Sequence, residues 1–151
     1  MGYDLYRDEE TDEDLHYFRW NIWGFPPVRY LAELYGWIPA GTRIEAWIDE
    51  DGQGHSAEDC EYDTNDGQTV SAKDAQNWAD ALKLAIVDLK QMPLVKEGSK
   101  SNKIDDEYMK EREEIHNKVP DAIMRQFNTE SSIAYLEKYV VFLEGGEFRI
   151  F

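Results

Sequence analysis

Apolar and polar positions change their period several times along this chain, and each change marks an element. Residues 2–7 read as a short strand, with Tyr3 and Leu5 alternating against Asp4 and Tyr6. The alternation returns over 16–23, placing Phe18, Trp20 and Ile22 on one face and Tyr17, Arg19 and Asn21 on the other. Gly24-Phe25-Pro26-Pro27 stops that strand and opens a helix, since proline suits the first helical position. Val28, Leu31, Ala32 and Tyr35 then recur at helical spacing until Gly36 ends the run.

A third strand is expected over 42–48, where Ile44, Ala46 and Ile48 alternate with Arg43, Glu45 and Trp47. Residues 49–69 are rich in Asp, Glu, Gly, Gln, Ser and Asn and read as a mobile acidic loop. Ser71 is placed to cap a helix whose stripe is Ala75, Trp78, Ala79, Leu82, Ile86 and Leu89, although the third position holds Asp74 rather than Glu or Gln. A linker-like break over 93–103 follows. Ile104, Tyr108, Ile115 and Val119 suggest a polar helix across 104–127, interrupted at Pro120. Asn128-Thr129 caps a last helix with Ile133, Leu136, Val140 and Leu143 inward, closed by Gly145-Gly146. Residues 147–151 form a strand whose apolar side chains require a place inside the sheet. The pattern predicts an α+β fold. A small, mostly antiparallel sheet, with strands near 2–7, 16–23, 42–48 and 147–151, is covered by three to four helices.

Several of these segments resemble a known group. Met1-Gly2-Tyr3-Asp4-Leu5-Tyr6, then Tyr17-Phe18-Arg19-Trp20-Asn21-Ile22-Trp23, Asn65-Asp66-Gly67 before the Ser-capped helix, and Phe142-Leu143-Glu144-Gly145-Gly146-Glu147-Phe148-Arg149-Ile150 resemble small uncharacterised proteins of bacteria and their phages. The resemblance covers both ends and the middle but not residues 90–127. It implies an intracellular protein related to bacteria or phage, and it supplies no activity and no catalytic residue.

Composition narrows the function. At 151 residues the chain fits one domain, 1–151, and its aromatic content of 13% sets it apart from disordered acidic chains. Against 16 Lys and Arg stand 32 Asp and Glu, a net charge of −16. Seven acids fall in 4–14, and nine fall in 45–66 with no Lys or Arg between them. Such a charge repels nucleic acid and anionic membranes and attracts cationic surfaces. Lys and Arg are nowhere clustered in sequence, so no direct nucleic-acid contact is expected. The single cysteine, the absence of a signal-peptide pattern and the lack of a long apolar run point to a cytoplasmic protein without membrane association.

Candidate chemistry is sparse. Asp49, Asp51, Gln53 and Gly54 copy the start of a calcium loop, but Cys60 stands where the bidentate Glu belongs, so that motif fails. His16, His55, His116 and Cys60 are too scattered for structural zinc. No nucleophile elbow, phosphate loop or dinucleotide fingerprint occurs, so no metal, cofactor or catalytic residue is assigned. Two functions follow. The first is an acidic interaction domain that covers a basic protein surface, as an inhibitor, an immunity protein or a DNA mimic, through Asp49, Asp51, Glu58, Asp59 and Glu61. The second is a small-molecule or nucleotide-binding domain, with an enzyme left open, that uses the N-terminal aromatics with Arg19, Asn21, Trp23 and Arg29.

Overall fold

The computed structural model describes residues 2–7, 13–91, 123 and 126–151. The linker-like stretch 93–103 lies outside the described residues. So does the helix expected over 104–127, apart from 123, 126 and 127, and so do residues 8–12 of the first acidic run.

The β-period segments become strands β1 (Gly2–Tyr6), β2 (Tyr17–Asn21), β3 (Thr42–Ile44), β4 (Trp47–Ile48), β5 (Gly54–His55), β6 (Glu58–Cys60), β7 (Gln68–Val70) and β8 (Phe148–Ile150). Six of them form one sheet in the order β2-β1-β8-β7-β3-β6, with antiparallel pairing at each step. β8 therefore sits in the middle, paired with both β1 and β7. Burying a strand on both edges satisfies its ladder groups and removes the fraying expected of a chain end.

Among the described residues the bounded helices are a single turn, α1 (Glu13–His16), then α2 (Phe25–Leu34), α3 (Ala72–Gln91) and α4 (Glu130–Glu144). Pro26 and Pro27 occupy the first turn of α2, so the helix begins at Phe25, two residues before the proline expected to open it. Ser71 Oγ accepts from Asp74 N at 3.1 Å, and Thr129 Oγ1 accepts from Ser132 N at 3.1 Å, which caps α3 and α4. Both apolar stripes turn inward: Trp78, Ala79, Leu82 and Leu89 of α3 and Leu136, Tyr139 and Leu143 of α4 are buried.

One face of the sheet supplies Tyr3, Leu5, Phe18, Trp20, Val70, Phe148 and Ile150 to this core. Phe18, Trp20 and Phe25 from the aromatic run are core residues, as large aromatics usually are in small domains. The opposite face stays open among the described residues.

Two of the buried polar residues, Asp74 and Arg7, join distant segments. Asp74 accepts from Trp37 Nε1 at 3.0 Å, Ala40 N at 3.2 Å and Tyr62 Oη at 2.5 Å. The carboxylate ties the loop after α2 and the turn before β7 to the first turn of α3. Burial, reinforced by donation to Asp74, pushes the Tyr62 hydroxyl well above its ordinary pKa. Arg7 is buried over the Phe142 ring at 4.3 Å and donates to the carbonyls of Leu15, Phe142 and Gly146. Desolvation lowers its pKa, and the three carbonyls accept from its Nη1 and Nη2 while its buried Nε has no hydrogen-bond partner among the described residues.

The 42–69 region corrects the sequence reading. The expected strand over 42–48 breaks at Glu45-Ala46, and the expected loop over 49–69 carries β5, β6 and most of β7. Thr42 pairs with Cys60, Ile44 with Glu58, Trp47 with His55 and Ile48 with Gly54, all in one register. β3-β4 and β5-β6 are thus one long hairpin, interrupted at 45–46 and 56–57, whose tip forms a separate two-stranded ribbon. Polar residues that read as loop in isolation form strands here because both faces of the tip are in solvent, where no apolar alternation is needed.

Candidate functional site

The hairpin arm gathers the acid of the second run. Asp49, Glu50 and Asp51 form its tip, Glu45 lies in the interruption and Glu58 borders it, and Asp59 and Glu61 follow on β6 and just beyond it. Asp51, Glu58, Asp59 and Glu61 are exposed and Asp49 is half-buried. Asp49 shapes the turn: its Oδ1 accepts from Asp51 N at 3.0 Å and from Gln53 N at 2.9 Å, and its Oδ2 lies 2.9 Å from His55 Nε2. The His55 contact, followed by these backbone donors, holds its carboxyl below the usual carboxylate range.

Apolar side chains stand among these acids. Trp47 stacks on His55, its register partner, with centroids 4.2 Å apart, yet keeps 52% of its surface exposed. Ile48 beside it is 75% exposed. β6 is an edge strand with one side unpaired among the described residues, so it offers free backbone donors and acceptors next to the carboxylates.

The four residues expected to hold a ligand separate into three places. Asn21 and Trp23 share a cleft of ≈ 400 Å³ between the end of β2 and the start of α4, with Trp20, Phe127, Ser132 and Tyr135. Asn21 Oδ1 accepts from Trp23 N at 3.0 Å and from Gly24 N at 2.7 Å, so its acceptor serves the turn. Arg19 lies instead on the open sheet face, 3.0 Å from Asp4 Oδ1. Arg29 lies on α2, 2.8 Å from Asp63 Oδ1 and against the rings of Phe25 and Tyr62. The cleft is therefore aromatic and neutral, without the two arginines that an anionic ligand would need.

Cys60 is half-buried in β6, and desolvation with the carboxylates of Glu58, Asp66 and Asp59 pushes its thiol up, away from nucleophilic reactivity. Among the described residues no group of three or more His, Cys, Asp or Glu side chains is arranged to hold a metal ion. Among them, too, no helix is long and apolar enough to cross a membrane.

Sequence reasoning missed two features of the site. The alternation over 42–48 puts Trp47 and Ile48 on opposite faces of one strand, and only the structure shows that neither face is covered there. Arg43, at the base of the arm, joins Arg19 and Arg149 on the open sheet face. The three are far apart in the chain, so no scan for clustered basic residues finds them. Comparison of the chain with protein-family models, with curated proteins and with solved structures finds no match in any of the three, and the reading of its function rests on this geometry.

Proposed function

We propose that the protein is an acidic interaction domain whose hairpin arm binds a basic surface of another protein. The observation that carries this reading is the composition of an exposed arm. Trp47 and Ile48 stand uncovered beside an unpaired edge strand, within a stretch from 45 to 66 that holds nine carboxylates and no Lys or Arg. Long-range attraction between these carboxylates and a cationic partner speeds encounter, and the apolar tip supplies the short-range contact that holds the complex. Such a device suits an inhibitor, an immunity protein or a DNA mimic.

The test compares the wild-type chain with a variant carrying Asp51, Glu58, Asp59 and Glu61 as lysines. Asp49 is left intact because its carboxylate shapes the turn. Affinity capture from native lysate is expected to retain a basic protein on wild type at low salt, to release it at high salt and to miss it with the variant. Association with the purified partner is expected to slow by about 10- to 1000-fold. Equal capture by both chains, or no partner at low salt, refutes the reading.

The cleft beside Trp23 favours a second reading, a domain that binds a small uncharged molecule, since its volume falls within the range of ligand pockets. A thermal-shift screen with small aromatic compounds checks it. A ligand whose stabilisation survives in wild type but is lost in Trp23→Ala supports this reading, and a screen without such a ligand removes it.

A further inference from the structure

Six strands place six side chains in one line across the solvent face of the sheet. The ladder registers set Tyr17 opposite Tyr6, Tyr6 opposite Arg149, Arg149 opposite Thr69, Thr69 opposite Arg43 and Arg43 opposite Asp59. A second row holds Arg19, Asp4 and Phe151, the last joined to Asp4 by reciprocal backbone hydrogen bonds of 2.8 and 2.7 Å. The aromatic members meet, Tyr6 and Tyr17 tilted by 43° with ring centroids 4.9 Å apart, and Tyr6 and Phe151 edge to face at 72° with centroids 5.8 Å apart. All three keep more than a third of their surface in solvent. Arg149 lies over the Phe151 ring at 5.1 Å and donates from Nε to the Gly67 carbonyl at 2.9 Å. Gly67 permits this approach: its φ is +73°, and a Cβ there would stand 2.9 Å from the Phe151 ring.

The charges of this face run against the rest of the molecule. Acids outnumber bases two to one in the chain, 32 to 16, so a surface arginine readily meets a carboxylate. Arg19 does so: Asp4 receives both its guanidinium and the Tyr17 hydroxyl. Among the described residues, Arg149 makes no ion pair, and the Arg43 side chain makes neither an ion pair nor a hydrogen bond. Two guanidinium groups that form no ion pair among the described residues therefore stand at the end of an exposed aromatic row, with Asp59 opposite Arg43 in the ladder. Both flank Thr69, so their backbones lie about 10 Å apart by strand spacing.

We propose that this face binds a nucleotide, free or as part of a short single strand, with the base lodged against the exposed rings of Tyr6, Tyr17 and Phe151 and the phosphate held by Arg149 and Arg43. Every base has a π face, so an aromatic platform accepts bases without reading them, and guanidinium matches the geometry of phosphate oxygens. The net charge of −16 sets the size of the occupant. A long polyanion would meet the carboxylates beyond the platform, whereas one to a few nucleotides would not. The site adjoins the acidic arm at Asp59, opposite Arg43, but its aromatic residues and Arg149 lie on other strands, so Tyr6→Leu tests it separately from the charge reversal of the arm.

The experiment titrates the full chain with a fluorescently labelled short oligothymidylate, read by anisotropy at about 50 mM and about 200 mM salt. Unlabelled AMP and a polyglutamate peptide serve as competitors. Wild type is expected to bind, and Arg43→Gln, which removes a guanidinium that makes no ion pair or hydrogen bond among the described residues, is expected to weaken binding severalfold and lower the salt slope by about one. Tyr6→Leu is expected to weaken binding about tenfold. Melting temperatures close to wild type show that both variants are folded. Displacement by AMP at matched nucleotide concentration identifies a single-nucleotide site, and binding of the oligomer much more tightly than AMP identifies a strand site. No binding of either probe by wild type overturns the proposal. So does binding that both variants leave unchanged, and so does displacement by polyglutamate as effective as by AMP.

Discussion

Removing the Asp74 carboxylate strikes a buried acceptor that serves three donors at once. Asp74 is 1% exposed and accepts three donors: the Trp37 indole at 3.0 Å, the Tyr62 hydroxyl at 2.5 Å and the Ala40 amide at 3.2 Å. In Asp74→Ala all three lose their acceptor together. Trp37 and Tyr62 are themselves buried, so water does not replace it. An unsatisfied buried donor costs about 1–3 kcal/mol, and two fully buried donors with a third partly buried give a loss of about 3–5 kcal/mol. For a chain of this length each kcal/mol lowers Tm by about 2–4 °C, so the melting temperature is expected to fall by on the order of 10 °C. Tyr62→Phe removes one donor and leaves the carboxylate two, so a smaller loss of about 1–3 kcal/mol is expected. Urea denaturation of wild type, both single variants and the double variant measures the terms. The double-variant cycle is expected to show coupling, since the two residues share a bond. A loss below about 1 kcal/mol for Asp74→Ala, at unchanged m-value, would refute the assignment of this carboxylate as the tie between the loops and α3.

Gly145→Ala places a Cβ 2.7 Å from Arg7 Nη1 and 2.8 Å from its Cζ, so a loss of about 1–3 kcal/mol is expected in thermal or urea unfolding. The same substitution in an Arg7→Ala background is expected to cost less, and an equal cost in both backgrounds would show that the guanidinium is not what Gly145 accommodates. The arm tip is expected to be acid-sensitive. Asp49 is held below the ordinary carboxylate pKa of about 4, so its contribution is fully present above that value and is lost as pH falls through the lowered one. Near-ultraviolet circular dichroism or the chemical shifts of Trp47, stacked on His55, are expected to change in that acid window. His55→Ala is expected to move the change toward higher pH, and an unmoved midpoint would separate Asp49 from His55.

The local elements were legible because their signals are local. The stripe of Trp78, Leu82 and Leu89, the caps at Ser71 and Thr129, and the alternation through Phe18 and Trp20 each depend on residues within a turn or a strand of one another. The 42–69 region was not legible for the opposite reason. A ribbon exposed on both faces carries no alternation, so its strands looked like loop until the pairing of Trp47 with His55 and Arg43 with Asp59 was known. Asp74 was visible only as an imperfect third residue of a helix cap, and its meaning came from Trp37 and Tyr62, which the fold brings to it.

By itself the sequence determined the α+β class, the apolar faces of the helices and the acid-only run from 45 to 66, because periodicity and charge are properties of neighbours along the chain. The tertiary structure decided which acids share an exposed arm, which aromatics are core and which stand in solvent. It also brought Arg43 and Arg149 to either side of Thr69. Those relations are made by strand pairing between distant segments, and a one-residue change of register would turn each of these side chains to the other face.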